Sequence, residues 1–414
     1  MTMVENQDAA SLPLEDIDVS DPALYRDDCW QGLFARLRRE DPVHYCADSP
    51  FGPYWSVTKY DDIMTVELDH ATYSSASDLG GIQIVDQPAG KELPNFIRMD
   101  PPKHTAQRKT IAPIVAPSNL ANMQDMIRQR TAGVLDGLPR GETFDWVDSV
   151  SIELTTMLLA TLFDFPWEER RKLTYWSDVA IANVDDPDAP VHSLEERYGE
   201  LVKMGEYFAE LWRERAVREP TFDLISMLAH GGSTRNMSTP EFIGNIGLLI
   251  VGGNDTTRNS MTGGLMALAD NPDQMDKLRA DPALVAKLVP EIIRYQTPVI
   301  HMRRTAKTDT ELGGKSIAAG SKVVMWYVSG NFDEEAIENA GAFDIDRARP
   351  RRHLAFGAGI HRCVGDRLAE LQLQILWEEI LARDLRIEVV GDPARVYSNF
   401  LRGIKSLDVR IPAN

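Results

Sequence analysis

Two segments near the start of the chain alternate apolar and polar residues with a period of two. They are DPVHYCA (41–47) and YWSVTKY (54–60), separated by the turn-rich DSPFGP. The pattern predicts a pair of strands joined by a turn. Residues 74–96 are rich in Gly, Ser and Asp yet carry Ile82, Ile84, Val85 and Phe96. That combination predicts a long loop with an apolar lining, of the kind that serves binding sites. From about Ala121 to Leu228 the period becomes helical, with breaks at DFPWEE (164–169) and DDPDAP (185–190). Ser238 and Glu241 then stand at capping-box spacing, with Pro240 in the first turn. The apolar pattern behind them runs to about Ala269, where DNPD stops it, which predicts roughly 45 Å of helix. A second helix carries LVPEIIRYQ (288–296), and residues 303–326 read as strands. A last helix is predicted from Val364 to about Leu381, and short strands close the chain. No repeat interrupts this order. The pattern predicts a mainly α fold with small β-sheets (α+β).

Composition narrows the functions open to such a fold. The chain has 414 residues, 43% of them hydrophobic and 26% charged, as in ordinary globular proteins. A formal net charge of −19 repels phosphates and excludes nucleic acid as a partner. The longest apolar run, IGLLIVGG (246–253), is too short to cross a bilayer. The opening MTMVENQDAASLPLEDIDVSD lacks the basic-then-apolar layout of a signal peptide. The expectation is a soluble cytoplasmic protein. The cysteines, Cys29, Cys46 and Cys363, are odd in number and form no CxxC, which argues against a disulfide framework or a structural zinc.

Cys363 needs its own explanation. It lies in HLAFGAGIHRCVGDRLAE (353–370). A thiolate binds iron strongly but protonates or oxidises unless its charge is stabilised. A helix starting near Val364 offers free N–H groups and the positive end of its dipole. Gly357, Gly359 and Gly365 let the backbone approach the sulfur or a flat ligand, and Phe356 shields the sulfur from water. A lone cysteine is more often an inert core residue. Phe, Gly, His, Cys and Gly within ten residues favour the ligand instead.

Phe356, Gly357, Gly359, His361, Cys363 and Gly365 resemble the haem-binding loop of the cytochromes P-450, a haem-thiolate family. Other segments resemble that family in the same order. Glu291 and Arg294 in PEIIR are similar to its ExxR pair, and Phe343, Asp344 and Arg347 in FDIDRAR to the segment whose arginine joins that pair. The resemblance implies that Glu291, Arg294 and Arg347 are structural and fix the loop that bears the cysteine. It implies one P-450 domain over residues 1–414, with a β-rich N-terminal lobe at about 40–75, a helical body and a long central helix over the haem. It implies haem b (iron protoporphyrin IX), Cys363 as the metal ligand and dioxygen as co-substrate. Phe356, Gly357 and Gly365 would contact that cofactor. His104 and Arg108 in DPPKHTAQRK, with Arg304 and His361, are the implied propionate anchors. Arg303 competes with Arg304, but on a strand the two point opposite ways, and counting back from Gly314 favours Arg304.

The long helix carries LLIVGGNDTTRNS. Glycines alone indicate close packing, but Asp255 and Thr256 add a carboxyl and a hydroxyl at a position where the helix is weak. By resemblance this is an acid–alcohol pair beside the dioxygen site, with Gly252, Asp255 and Thr256 catalytic. Thr256 would hydrogen-bond the oxygen and a water, and Asp255 would turn outward to pass protons from solvent.

GGNDTTRNSMTGG, RRHLAFGAGIHRCVGDRLAELQLQILWEEI and SNFLRGIKSL are most similar to the soluble bacterial hydroxylases of alkane and fatty-acid chain ends. Asp366 departs, since that branch is expected to carry Asn there. The branch implies terminal hydroxylation of medium-chain alkanes or fatty acids to primary alcohols. It also implies a [2Fe–2S] ferredoxin and an NAD(P)H-dependent ferredoxin reductase as partners. No CxxxxCxxC and no dinucleotide fingerprint occurs in the chain, so electrons come from separate proteins. Arg351, Arg352, Arg362 and Arg367, with Lys103, Arg108 and Lys109, form a candidate basic dock for an acidic carrier. Ile82, Val85, Phe96, Leu248, Val251, Val299, Ile300, Met302, Phe400 and Leu401 are the candidate substrate pocket. Three alternatives stand beside this reading: a hydroxylase of terpenes or other cyclic hydrocarbons, a peroxide-dependent haem enzyme, and a haem sensor without catalysis. The Asp255–Thr256 pair counts against the last two.

Overall fold

The computed structural model describes residues 11–87 and 90–413. The reading of residues 1–10 as no leader lies outside the described residues. The expected strand pair forms: Val43–Cys46 and Tyr54–Val57 are antiparallel, with Val43 opposite Val57. It does not form a lobe by itself. The sheet has five strands, in the order Val43–Cys46, Tyr54–Val57, Lys322–Trp326, His301–Ala306 and Tyr73–Ser74. Every residue of Lys322–Trp326 is buried, so this strand needs a neighbour on each side. It pairs in parallel with Tyr54–Val57 and antiparallel with His301–Ala306. The expected 40–75 lobe is therefore completed by a segment far along the chain.

The long helix spans Thr239–Asp270, and its capping box at Ser238 and Glu241 is formed. Its buried positions include Asn254, Asp255, Arg258 and Asn259 as well as Ile246 and Leu265. Burial on more than one face means that it runs through the body rather than over it. Helices Glu153–Phe163, Arg171–Ile181, Leu194–Ala216, Val285–Gln296 and Asp366–Ala382 pack around it.

Two boundaries differ from expectation. The helical stretch 121–228 is interrupted by a strand, Thr143–Asp145, which pairs with Asp408–Arg410. Three residues are too few to display an alternation. The last helix begins at Asp366, with Gly365 as its cap, rather than near Val364. Cys363 thus precedes the helix cap by two residues, and the Gly365 N–H at that cap favours a charged sulfur. No helix among the described residues is long and apolar enough to cross a membrane.

Candidate active site

A cavity with about 1540 Å³ of empty space, its opening to solvent included, lies between the loop bearing Cys363 and the long helix. The loop is closed on itself: the Cys363 N–H donates to Phe356 O at 2.8 Å. Gly359 has φ +63°, and a Cβ there would stand 2.5 Å from Glu67 O. Only glycine lets the loop lie this close to helix Tyr60–Leu68. Phe356, Gly357, His361, Cys363 and Gly365 all reach the cavity wall. Cys363 lies deep in the protein yet keeps some accessible surface, because it faces that space. Burial pushes its thiol up to about 11, with Asp366 adding to the shift and the Gly365 N–H, Arg108 and Arg362 opposing it. A thiol raised this far needs a bound metal cation to remain deprotonated at neutral pH.

The loop is held in place by a buried ion cluster. Arg294 donates to Glu291 through Nε at 2.8 Å and Nη2 at 2.7 Å. Arg347 reaches the same carboxylate through Nε at 3.0 Å and Nη2 at 3.2 Å. Glu291 and Arg294 are fully buried, and Arg347 is 7% exposed. Arg294 also donates to Asn331 O at 2.8 Å, and the Asn331 side chain accepts the Leu354 N–H at 2.6 Å. Leu354 O in turn accepts the Gly357 N–H at 2.7 Å. A chain of hydrogen bonds therefore runs from Glu291 to the cysteine loop.

One side of the cavity is cationic. Arg108 and Arg304 are on its wall. Arg303 points the other way, onto Asp86, as strand alternation requires. Arg304 donates to Glu67 Oε2 at 2.9 Å, and Tyr327 donates to Glu67 Oε1. Burial raises the Glu67 pKa, and Arg304 opposes the rise. Glu67 and Tyr327 were invisible to sequence reasoning, because Glu67 lies more than two hundred residues from both Arg304 and Tyr327. His104 does not reach the wall. It stands behind His361, the ring centroids 4.4 Å apart. Burial pushes His104 down to about 4 and His361 to about 2, so both are neutral at physiological pH. Both ring nitrogens of His104 and Nδ1 of His361 are buried without a hydrogen-bond partner. Such orphaned groups are costly unless a ligand satisfies them.

Leu248, Leu249, Gly252, Gly253, Thr256, Thr257 and Ser260 present the long helix to the cavity. Each residue turns the helix by about 100°, which sends Val251 and Asp255 to the other side. A Cβ on Gly252 would meet nothing within 4 Å. Thr256 Oγ1 donates to Gly252 O at 3.2 Å. Asp255 is buried and accepts from Ser177 Oγ at 2.6 Å. Its other oxygen lies 2.7 Å from Arg258 Nη2, which also pairs with the partly exposed Asp178 at 2.6 Å. Burial raises the Asp255 pKa, and Arg258 opposes the rise.

Ile82, Phe96, Leu248, Val299 and Met302 are on the wall. Val85, Val251, Ile300, Phe400 and Leu401 are not. The Ile84 backbone is pinned by the His301 ring at 3.1 Å and by Lys322 Nζ at 2.9 Å, and Val85 packs into the N-terminal core beside it. Ile300 is fully buried in that same core. The Phe400 ring packs on His301, centroids 5.5 Å apart. Leu401 bridges Val299 and keeps only 1% of its surface exposed. Sequence reasoning missed Ile97, Ile111, Ile114, Val115, Leu158, Leu159, Leu162 and Leu224, which complete the wall. Their hydrophobicity signals burial but not what they are buried against.

The sequence model of the family "Cytochrome P450" matches residues 203–393. Linalool 8-monooxygenase from Pseudomonas putida is 37% identical over 96% of this chain and 99% of its own. A steroid C26-monooxygenase from Mycolicibacterium smegmatis is 34% identical over 91% of this chain and 89% of its own. Among solved structures, CYP153D17 from a Sphingomonas species is 52% identical with a TM-score of 0.90, covering 96% of this chain and 99% of its own. Cytochrome P450-153 from Novosphingobium aromaticivorans is 49% identical with a TM-score of 0.90, covering 95% and 99%. The family's cofactor is haem with cysteine-thiolate ligation, and its co-substrate is dioxygen. The cavity fits that group: one deep thiol, two guanidiniums on the wall and the orphaned Nδ1 of His361 answer to a metal and two carboxylates. Cys29 and Cys46 belong to the N-terminal core and have no such surroundings.

Proposed function

We propose that this chain, which belongs to the cytochrome P450 family, hydroxylates the terminal methyl group of medium-chain alkanes or fatty acids. It is a monooxygenase: bound haem with a thiolate ligand would supply the chemistry by which, with two electrons and two protons, one atom of dioxygen enters a C–H bond and the other leaves as water. Cys363 supplies the thiolate. Arg108, Arg304 and His361 would hold the propionates, with His104 behind them. Thr256 releases its bond to Gly252 O and offers its hydroxyl to dioxygen and a water. Asp255, joined through Arg258 to the half-exposed Asp178, stands on the solvent side of this relay and carries protons inward.

The observation that carries the substrate reading is the wall itself. Away from the cofactor end and the Thr256–Ser260 turn, it is built from Ile, Leu, Val, Met, Phe and Pro side chains. Such a wall holds an alkyl chain by burial, about 0.8 kcal/mol per CH₂. Terminal C–H bonds are stronger than internal ones, so steric confinement rather than bond strength must select the chain end.

Electrons come from redox partners, here a [2Fe–2S] ferredoxin with its NAD(P)H-dependent reductase. The basic face offered to it is thinner than its arginine count implies. Arg351 pairs with Glu370 at 2.8 Å, Arg362 with Asp366 at 2.9 Å and Lys103 with Glu241. Arg352, Arg367 and Lys109 are left as its steering charges.

A second reading is terpene hydroxylation, favoured by the 37% identity to linalool 8-monooxygenase. Octane, dodecanoic acid, linalool and limonene, each turned over with a ferredoxin–reductase pair, separate the two. The expected main products are 1-octanol and the ω-hydroxy acid. Internal alcohols as main products, or linalool and limonene consumed faster than either chain substrate, would contradict terminal hydroxylation.

A further inference from the structure

We infer that Glu67 is a positioning residue for the carboxylate end of the haem, and that its buried charge sets how readily the bound haem is reduced. This rests on the family's cofactor and holds whichever substrate the protein takes. Glu67 lies in the last turn of helix Tyr60–Leu68 and is 3% exposed. Three elements close on its carboxylate. Arg304, from strand His301–Ala306, donates to Oε2 at 2.9 Å. Tyr327, just after strand Lys322–Trp326, donates to Oε1. Gly357, in the cysteine loop, has φ +64°, and a Cβ there would stand 3.4 Å from the same Oε1. Arg304, Tyr327 and Gly357 are all on the cavity wall. The carboxylate therefore sits directly behind the wall that a haem would face.

Neither packing nor local structure asks for an acid at this position. A negative charge in the last turn of a helix opposes the helix dipole, and this turn carries no basic residue. Ile63 and Val66 of the same helix pack in an apolar core. A buried ion pair gives little net stability over apolar residues of similar size. Burial raises the Glu67 pKa, and the Arg304 charge opposes the rise. The two donors that the carboxylate accepts from favour its ionised form.

The charge balance around the cavity gives this acid its consequence. Among the described residues no carboxylate is on the wall itself. The cations on it are Arg108 and Arg304, since burial holds His361 neutral. Haem brings two propionates, and Cys363 adds a thiolate. Glu67 already engages Arg304, which leaves Arg108 as the one wall cation, among the described residues, with no acid paired to it. The site is thus short of positive charge. Charges in a buried site interact far more strongly than in water. Adding an electron to the iron is therefore harder than it would be with Arg304 free.

Redox titration of the haem-loaded protein, followed by its absorbance, tests this. Glu67→Gln keeps the shape and removes the charge. It is expected to raise the ferrous-to-ferric ratio at a fixed applied potential by about tenfold, a positive shift of about 59 mV for a one-electron couple. Glu67→Asp, which keeps the charge, should stay near wild type. Tyr327→Phe removes a hydrogen bond from the same cluster without changing its net charge, and should shift the ratio far less than Glu67→Gln. An unchanged ratio in Glu67→Gln would overturn the inference. So would a shift as large in Glu67→Asp or Tyr327→Phe, because a purely structural role moves all three alike. Haem uptake covers a variant that folds poorly. Loss of haem from Glu67→Gln alone would show that the charge itself holds the cradle. Loss from both Glu67 variants would assign the residue to packing and overturn the inference.

Discussion

Glu291→Ala is expected to destabilise the protein by about 3–5 kcal/mol, the usual consequence of removing one partner from a buried ion pair. Folded domains have only about 5–15 kcal/mol in total, so most of the margin goes. The cause is specific. Two guanidiniums, one fully buried and the other 7% exposed, lose their shared counter-ion at once. Their remaining acceptors are backbone carbonyls, Asn331 O, Ala340 O and Ala342 O for Arg294 and chiefly Ala342 O at 2.9 Å for Arg347. These hydrogen bonds do not neutralise charge. The Asp344 N–H, which donates to Glu291 Oε1 at 2.9 Å, is also orphaned. Because Arg294 holds Asn331 and Asn331 holds Leu354, the damage reaches the cysteine loop, and haem content should fall with stability. Urea unfolding together with haem content per chain reads both. Glu291→Gln keeps acceptor atoms and should lose less. A midpoint for Glu291→Ala equal to wild type would show that the cluster does not hold the loop. Glu388→Ala is the control: it breaks the exposed pair with Arg410, and no measurable change is expected.

Thr256→Ala is expected to do the opposite, leaving stability and haem binding intact while decoupling the chemistry. Alanine is the best helix former, and the hydroxyl lost makes one 3.2 Å bond to Gly252 O, so folding loses little. What disappears is the hydroxyl on the cavity wall nearest the Asp255 carboxyl in sequence. General acid–base groups contribute about 10²–10⁴-fold, so product formed per NADH should fall by at least about tenfold. The reducing equivalents should appear as hydrogen peroxide. Thr256→Ser should restore most of the coupling. Product and peroxide yields measured on the same NADH consumption give the answer. Wild-type coupling in Thr256→Ala would mean that protons arrive by another route.

The parts legible in the sequence were those whose signal is local. The long helix announces itself through Ser238 and Glu241, and its box forms as spaced. The choice of Arg304 over Arg303 needed only the period of a strand, and the two do point apart. The cysteine loop was legible because its glycines and its thiol lie within a few residues of each other. Pocket residues were legible only in part, because hydrophobicity reports burial and not direction. Val251 sits one residue from Gly252 and faces away from the cavity. Ile300 lies between the wall residues Val299 and Met302 and belongs to a different core. Glu67 and the five-stranded sheet could not be read, since both depend on contacts between the first eighty residues and those beyond 300. The late start of the last helix reflects a cap, Gly365, that looks like any loop glycine until the backbone is seen.

The most direct measurement is the carbon monoxide difference spectrum of the reduced protein. It is recorded for wild type, for Cys363→Ser and for a Cys29→Ser, Cys46→Ser double variant. Wild type and the double variant are expected to show the long-wavelength Soret band that thiolate ligation gives, and Cys363→Ser to lack it. A band that survives in Cys363→Ser, or a wild-type spectrum at the shorter wavelength of histidine-ligated haem, would contradict the assignment of Cys363 as the ligand.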